Sequence, residues 1–317
     1  MSRKIAVTFT PLTDDRLAKL RKAADGFELV CCEKNAPEIA ECEVVFGHIS
    51  PSSVPSAKNL KWLHTPTAGV DFYLAPGVDI PTDVTITNSV GAYGINISEH
   101  LLTVTMMLLR KMDMYARNQP LAKWDNLGMS QTLYGKLVTV VGLGDIGGNY
   151  SERCKAMGAR VRGVVRTARA EVPPCADELF TVDQLDAALA GADIVALCLP
   201  GTDDTKQMFT REQLTKIKTG AYLLNIGRGS AIDQDALIDL LKSGHLAGAG
   251  LDVTTPEPLP ADSPLWTLPN VIITPHISGG ASPEFTFDLI VDKFIEYLRD
   301  YAAGKPFKHV VNRQAGY

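Results

Sequence analysis

Little in this chain would tie it to a membrane, a nucleic acid or an oxidising compartment. Its longest apolar stretch, Leu101 to Leu109, contains two threonines and stops at Arg110-Lys111. That is far short of the ~20 residues a spanning helix needs. The opening Met1-Ser2-Arg3-Lys4-Ile5 leads straight into a strand-like run, with no signal-peptide core or cleavage site. The six cysteines, Cys31, Cys32, Cys42, Cys154, Cys175 and Cys198, show neither C-x-x-C nor zinc spacing. They are expected as reduced thiols in the cytoplasm, with no metal site. No block of like charge is present, the net charge is −5 and the pI is near 5.7. A nucleic-acid or membrane-surface partner is therefore not expected. There is no internal repeat and no low-complexity tract.

What is present fits an ordinary globular protein. The 317 residues are 45% hydrophobic and 21% charged, enough for about two domains. The first part alternates short strands with helices, so it reads as α/β with a parallel sheet. Its strand candidates are Ile5-Phe9, Phe27-Cys31, Val44-Gly47, Leu60-Thr65 and Val84-Thr87. Thr13 to Ala24 has helical spacing at Leu17 and Leu20. Asn96-Ile97-Ser98-Glu99 resembles a capping box that opens a buried helix running to about Met112. A polar, irregular stretch from Arg117 to Thr132 follows and holds Trp124.

A second α/β run begins at Leu137. Strands are expected at Leu137-Val141, Val161-Val165, Ile194-Leu199, Ala221-Ile226, Gly248-Asp252 and Val271-Thr274. Thr181 with Gln184 and Thr210 with Gln213 read as capping boxes, and Ser243-Gly244 as a helix stop. Repeated β-α-β units of this size fit a doubly wound sheet. Ser282 to Tyr301 reads as one amphipathic helix that could return the chain to the first domain. The division expected is 1–100 with 288–317 for one domain and 101–287 for the other.

The strongest local signal is Gly142-Leu143-Gly144-Asp145-Ile146-Gly147 after the strand Leu137-Val141. Gly142 permits a tight turn, Gly144 lets a pyrophosphate approach the backbone, and Gly147 lets helix pack on strand. The helix start then offers N–H groups to phosphate. In open α/β sheets ligands sit beyond the carboxyl ends of the strands. Arg228, Asp252, Glu257 and His276 fall at or just after such ends. A guanidinium can fork onto a carboxylate, and a histidine can move a proton near neutral pH. A carboxylate on the far ring nitrogen would orient that histidine and favour its cation.

With these residues the chain resembles the D-isomer-specific 2-hydroxyacid dehydrogenases. The resemblance rests on the glycine turn, Asn225-Ile226-Gly227-Arg228-Gly229, Gly250-Leu251-Asp252-Val253 and Pro256-Glu257-Pro258-Leu259-Pro260. Ser263-Pro264-Leu265-Trp266, Thr274-Pro275-His276, Thr67-Ala68-Gly69-Val70-Asp71 and Ser98-Glu99-His100 extend it over nearly the whole chain. It implies a Rossmann-type doubly wound domain, a flavodoxin-like α/β substrate domain completed by the C-terminal helix, an active-site cleft and a homodimer. It implies Arg228, Glu257 and His276 as catalytic: carboxylate binding, ring support and proton transfer. It implies that the backbone at Ala68 and Gly69 binds substrate. It implies dinucleotide contacts from Gly142, Gly144, Asp145, Ile146, Gly147, Arg166, Thr167, Leu199, Pro200, Thr205, Ile226, Gly227, Asp252 and Gly279.

Two departures matter. The acid that would hold a free ribose falls, by alignment from Gly142, at Val165, and Arg166-Thr167-Ala168-Arg169 follows. An arginine there can meet a 2′-phosphate, so NADP(H) is expected in preference to NAD(H). Tyr93 stands where related sequences often carry histidine, which bears on the substrate pocket. The expected reaction is hydride transfer between nicotinamide and a small 2-keto or 2-hydroxy acid, with reduction of glyoxylate or hydroxypyruvate in view. The same scaffold serves formate and phosphite dehydrogenases and corepressors that sense dinucleotide. The corepressors carry disordered tails, whereas this chain ends at Tyr317 soon after its final helix.

Overall fold

In the computed structural model, which describes residues 3–75, 77–280 and 282–317, contacts divide the chain into two compact units. One takes the chain through Tyr93 and again from Ser282, and the other runs from Gly94 to residue 281. The sequence reading set the seams six or seven residues later. The seams fall earlier because each flanking helix stays whole within a single unit.

The first unit holds β1 (Arg3–Val7), α1 (Asp14–Ala23), β2 (Phe27–Cys31), β3 (Val44–Phe46), β4 (Trp62–His64), α2 (Asp71–Leu74) and β5 (Thr85–Thr87). The strands form one parallel sheet in the order β2-β1-β3-β4-β5. The Thr13 hydroxyl caps α1 by accepting from Arg16 N. Leu20 of α1 is buried as its spacing requires, but so is Arg16, while Leu17 is only partly covered. The sheet is sealed by the helix Glu284–Ala302, whose Phe294 stacks on Phe46 (4.1 Å) and Trp62 (5.1 Å).

The second unit begins with α3 (Gly94–Arg110) and α4 (Met112–Asn118). α3 starts at Gly94, so Asn96 lies inside its first turn and does not cap it; its amide donates instead to the Ser278 carbonyl. α3 stops at Arg110 because Lys111 turns left-handed (φ 55°), and α4 follows, beginning where the expected helix ended and reaching two residues into the stretch expected to be irregular. The unit continues through β6 (Leu137–Val141), α5 (Asp145–Ala156), β7 (Arg160–Val165), β8 (Glu178–Thr181), α6 (Leu185–Leu189) and β9 (Ile194–Leu197). It ends with α7 (Arg211–Lys216), β10 (Ala221–Asn225), α8 (Gln234–Lys242), β11 (Leu246–Leu251) and β12 (Val271–Ile273); α9 (Glu284–Ala302) is the sealing helix of the first unit.

The seven strands of this unit are all parallel, in the order β12-β11-β10-β9-β6-β7-β8. The order reverses between β6 and β9, which is the topological switch point. The capping box at Thr181 forms, with Thr181 N donating to Gln184 Oε1. At Thr210 the hydroxyl donates to the Gln213 side chain and caps no backbone N–H. Asp233 caps α8, and Gly244 stops it at φ 76°.

Candidate active site

At the switch point the chain leaves β6 through Gly142 at φ 97°, a conformation that favours glycine. Gly147 sits where a Cβ would fall 2.1 Å from the Gly142 carbonyl oxygen, so only glycine lets α5 pack this close. Gly144 is the N-cap of α5, offers no capping side chain, and has no atom within 4 Å of where its Cβ would stand. The cradle is therefore open, and its helix start presents N–H groups to an anion. Asp145 and Ile146 open α5, where the Asn149 amide donates to the Asp145 carbonyl (2.9 Å). These features fit a dinucleotide pyrophosphate.

The neighbouring strand ends form the rest of this rim. Leu199 and Pro200 follow β9, whose last strand residue is Leu197 and not Leu199 as expected. Thr205 is buried, and its hydroxyl donates to the Pro200 carbonyl (2.7 Å) while accepting from Thr202 N (3.0 Å). It braces its own loop. Beyond β7, Val165 ends the strand and Arg166 and Thr167 are exposed, as the sequence placed them. Arg169 donates to the Leu143 carbonyl (2.9 Å), which ties this basic loop to the glycine turn. Sequence reading did not foresee that tie.

Arg228 follows β10 in extended conformation (φ −139°) and donates through Nη1 to the Gly227 carbonyl. Asn225 frames it: its side chain accepts from Gly227 N (3.0 Å) and donates to the Arg228 carbonyl (3.0 Å). Gly201 passes beside the arginine stem, where any Cβ would sit 2.9 Å from Arg228 Cγ. Ile226 and Gly227 are buried beneath.

His276 and Glu257 meet. The ring Nδ1 lies 2.8 Å from Glu257 Oε2, while Glu257 Oε1 accepts from Thr254 N (3.1 Å). Both side chains remain open to solvent, 47% and 38% exposed. His276 also takes a positive φ of 52°, rare for a residue with a side chain. Its N–H donates to the Asp252 carbonyl (2.8 Å), which helps to hold that turn.

Asp252 explains the rest of the turn. Its buried carboxylate accepts from the Thr274 hydroxyl (2.6 Å), Ile277 N (2.9 Å) and Ser278 N (3.0 Å). Burial alone would raise its pKa, but these donors hold it below the usual carboxylate range. Asp252, expected among the dinucleotide contacts, thus also fixes the chain around His276. Gly279 lies just beyond this turn, partly covered.

In the first unit, Ala68 and Gly69 lie in the loop after β4. All five carbonyls from Thr65 to Gly69 accept internal hydrogen bonds, from Ser89 Oγ, Tyr93 Oη, Ser89 N, Asn88 Nδ2 and Thr67 Oγ1 in turn. Among the described residues the N–H groups of Ala68 and Gly69 have no acceptor. Such a loop is a ready anion nest. Tyr93 is engaged at Pro66, and burial pushes its pKa up to about 12.

A further cavity lies elsewhere. It is an open trough of about 670 Å³ beside α3 and α4, lined by Leu102, Met106, Met107, Met112 and Tyr115. No helix is long and apolar enough to cross a membrane, and no metal-binding cluster occurs among the described residues.

Comparison with known proteins agrees with this geometry. Residues 102–278 match the D-isomer specific 2-hydroxyacid dehydrogenase, NAD binding domain. Glyoxylate/hydroxypyruvate reductase B of Pectobacterium carotovorum subsp. carotovorum is 29% identical over 97% of this chain and 98% of its own length. A D-isomer specific 2-hydroxyacid dehydrogenase family protein from Aeromonas salmonicida superposes with a TM-score of 0.85 at 29% identity, covering 99% of this chain and 100% of that one. An NADPH-dependent glyoxylate/hydroxypyruvate reductase from Sinorhizobium meliloti, solved with NADP and sulfate, gives 0.82 at 27% identity, covering 99% and 100%. With an open dinucleotide cradle, an arginine and a histidine–glutamate pair on one sheet rim, the chain belongs to the D-isomer-specific 2-hydroxyacid dehydrogenase family and is an NAD(P)-dependent oxidoreductase of 2-keto and 2-hydroxy acids.

Proposed function

We propose that this enzyme reduces small 2-keto acids, glyoxylate and hydroxypyruvate foremost, with NADPH. The observation that carries this is the His276–Glu257 pair on the rim that also holds Arg228 and the open glycine turn. Bound NADPH would supply the hydride. Because Glu257 occupies Nδ1, His276 would give its proton from Nε2 to the forming alkoxide. Arg228 would fork onto the substrate carboxylate and polarise the keto oxygen. The N–H groups of Ala68 and Gly69, in the first unit, would suit the carboxylate of such an acid. Formate oxidation needs no proton transfer, so a supported histidine favours the keto acid.

Arg166 and Thr167 would hold the 2′-phosphate, with Arg169 fixing their loop against the glycine turn. The test is an initial-rate survey of small 2-keto acids with both reduced cofactors, in the parent and in Arg166→Ala. Expected are turnover with NADPH ahead of NADH and a loss of about tenfold or more in kcat/KM for NADPH alone, the scale of one charged hydrogen bond. Preference for NADH, or an equal loss with both, overturns the phosphate role. No turnover with any keto acid overturns the substrate assignment.

The protein would act as a cytoplasmic homodimer. All six cysteines are unpaired thiols, which suits a reducing compartment. The trough beside α3 and α4 adjoins a segment in which Leu121, Trp124 and Met129 are 61%, 102% and 94% exposed. Trp124 is thus no core aromatic, and an apolar surface of this kind calls for cover. A mass measurement in solution that shows a monomer at micromolar concentration would remove the dimer.

A further inference from the structure

Beneath the Thr65–Gly69 loop lies a chain of buried polar side chains that the reaction itself does not use. Trp62 Nε1 donates to Thr87 Oγ1 (2.8 Å). Thr87 Oγ1 is 2.7 Å from His64 Nδ1, and His64 Nε2 is 3.2 Å from Ser89 Oγ. Ser89 Oγ in turn donates to the Thr65 carbonyl (3.1 Å).

Only one arrangement of protons satisfies every member. The Ser89 hydroxyl proton is committed to Thr65, so His64 must donate to Ser89 from Nε2. Nδ1 is then the acceptor, and the Thr87 hydroxyl, already accepting from Trp62, gives its proton there. His64 is fully buried among Phe46, Trp62 and Phe294. A neutral ring of one tautomer therefore links the end of β4 to the last residue of β5 and to Ser89 just beyond it.

We infer that His64 and Ser89 are positioning residues for substrate carboxylate binding, because they turn the Thr65 and Thr67 carbonyls inward and so leave the Ala68 and Gly69 N–H groups to meet the anion. Ser89 closes the loop twice, through its hydroxyl to Thr65 and its N–H to Thr67 (3.0 Å). His64 fixes the direction of the first of these bonds. The inference rests on the reading that this loop takes the keto acid's carboxylate.

The test is steady-state kinetics with glyoxylate and NADPH on the full-length protein, for the parent, Ser89→Ala, Ser89→Thr and His64→Phe. Ser89→Ala is a small change that keeps the fold. Expected is a rise of about tenfold in KM for glyoxylate, the scale of one lost buried hydrogen bond. kcat should stay within about twofold and KM for NADPH unchanged, because the groups moved bind the carboxylate and not the cofactor. Ser89→Thr restores the hydroxyl and should bring KM back toward the parent. His64→Phe should match Ser89→Ala. If the parent turns over glyoxylate and Ser89→Ala leaves its KM unchanged, the positioning role is wrong while the substrate reading stands. An equal loss in kcat and in NADPH affinity marks a general structural defect and also overturns it. A parent with no keto-acid activity overturns both readings together.

Discussion

Asp252 is 3% exposed and still charged, because a hydroxyl and two backbone N–H groups converge on it. Its native pKa lies below the unfolded value of about 3.9. The stability it adds is therefore complete above that unfolded value and is lost as pH falls through the lower native one. Asp252→Asn should cost ~1.5–3 kcal/mol near neutrality, the worth of charged hydrogen bonds. Urea unfolding of both proteins should show that gap closing in acid, and a gap independent of pH would mean the carboxylate is not the stabilising form. Two neighbours would carry the proposed chemistry more directly. His276→Gln should keep NADPH affinity, measured by fluorescence titration, and lose turnover by ~10²-fold or more. Arg228→Lys should raise KM for glyoxylate and lower kcat, since lysine keeps charge but not the planar fork. Unchanged constants would place the carboxylate elsewhere. His276 and Glu257 were legible in the sequence because both follow strand ends. What Asp252 does was not, since its partners Ile277 and Ser278 act through backbone N–H groups that no side-chain pattern records.

Among the elements, α5 with its glycine turn separates two requirements that the sequence motif merges. At Gly147 a Cβ has nowhere to go, whereas at Gly144 it meets open space. Gly147→Ala should therefore lower the melting temperature, at a cost of ~1–3 kcal/mol or more for overpacking. Gly144→Ala should melt like the parent yet bind NADPH far more weakly, because its methyl stands where the pyrophosphate approaches. Calorimetry with titration of NADPH checks both, and a Gly144→Ala protein with parental affinity would show that the phosphates lie elsewhere. The two central strands flanking the switch point were plain in the sequence as β-branched runs. β8 was missed: its four residues, Glu178 to Thr181, are all only half-buried at the sheet edge, so they carry no apolar run. The start of α3 was misplaced for a different reason. Asn96 to Glu99 looks like a capping box, but Gly94 begins the helix and Asn96 bonds to Ser278, far away in sequence.

At the scale of the molecule, acid should act through His64 as well as through carboxylates. Burial pushes its pKa down to about 3, against about 6.5 for a solvated imidazole. Between those values the unfolded chain binds a proton that the native chain refuses, so stability falls as pH drops, by ~1.4 kcal/mol per unit from this group. The His64→Phe protein should show a flatter dependence of unfolding free energy between pH 6 and 4; parallel curves would mean that the native ring takes up the proton.

The first unit is made from both ends of the chain, with α9 laid on a sheet whose last strand was finished at Thr87. On the ribosome, β1 to β5 emerge with Phe46 and Trp62 lacking the Phe294 that covers them. The whole seven-stranded unit is synthesised before that cover arrives, a wait of roughly ten to forty seconds at ~5–20 residues per second. By the end of that interval the unit that begins at Gly94 has all its own strands in hand, while the earlier-born sheet is still waiting for a helix. The later-made sheet can thus be completed before the earlier-made one is sealed, and the nascent first sheet is the part of this protein with most to gain from a chaperone.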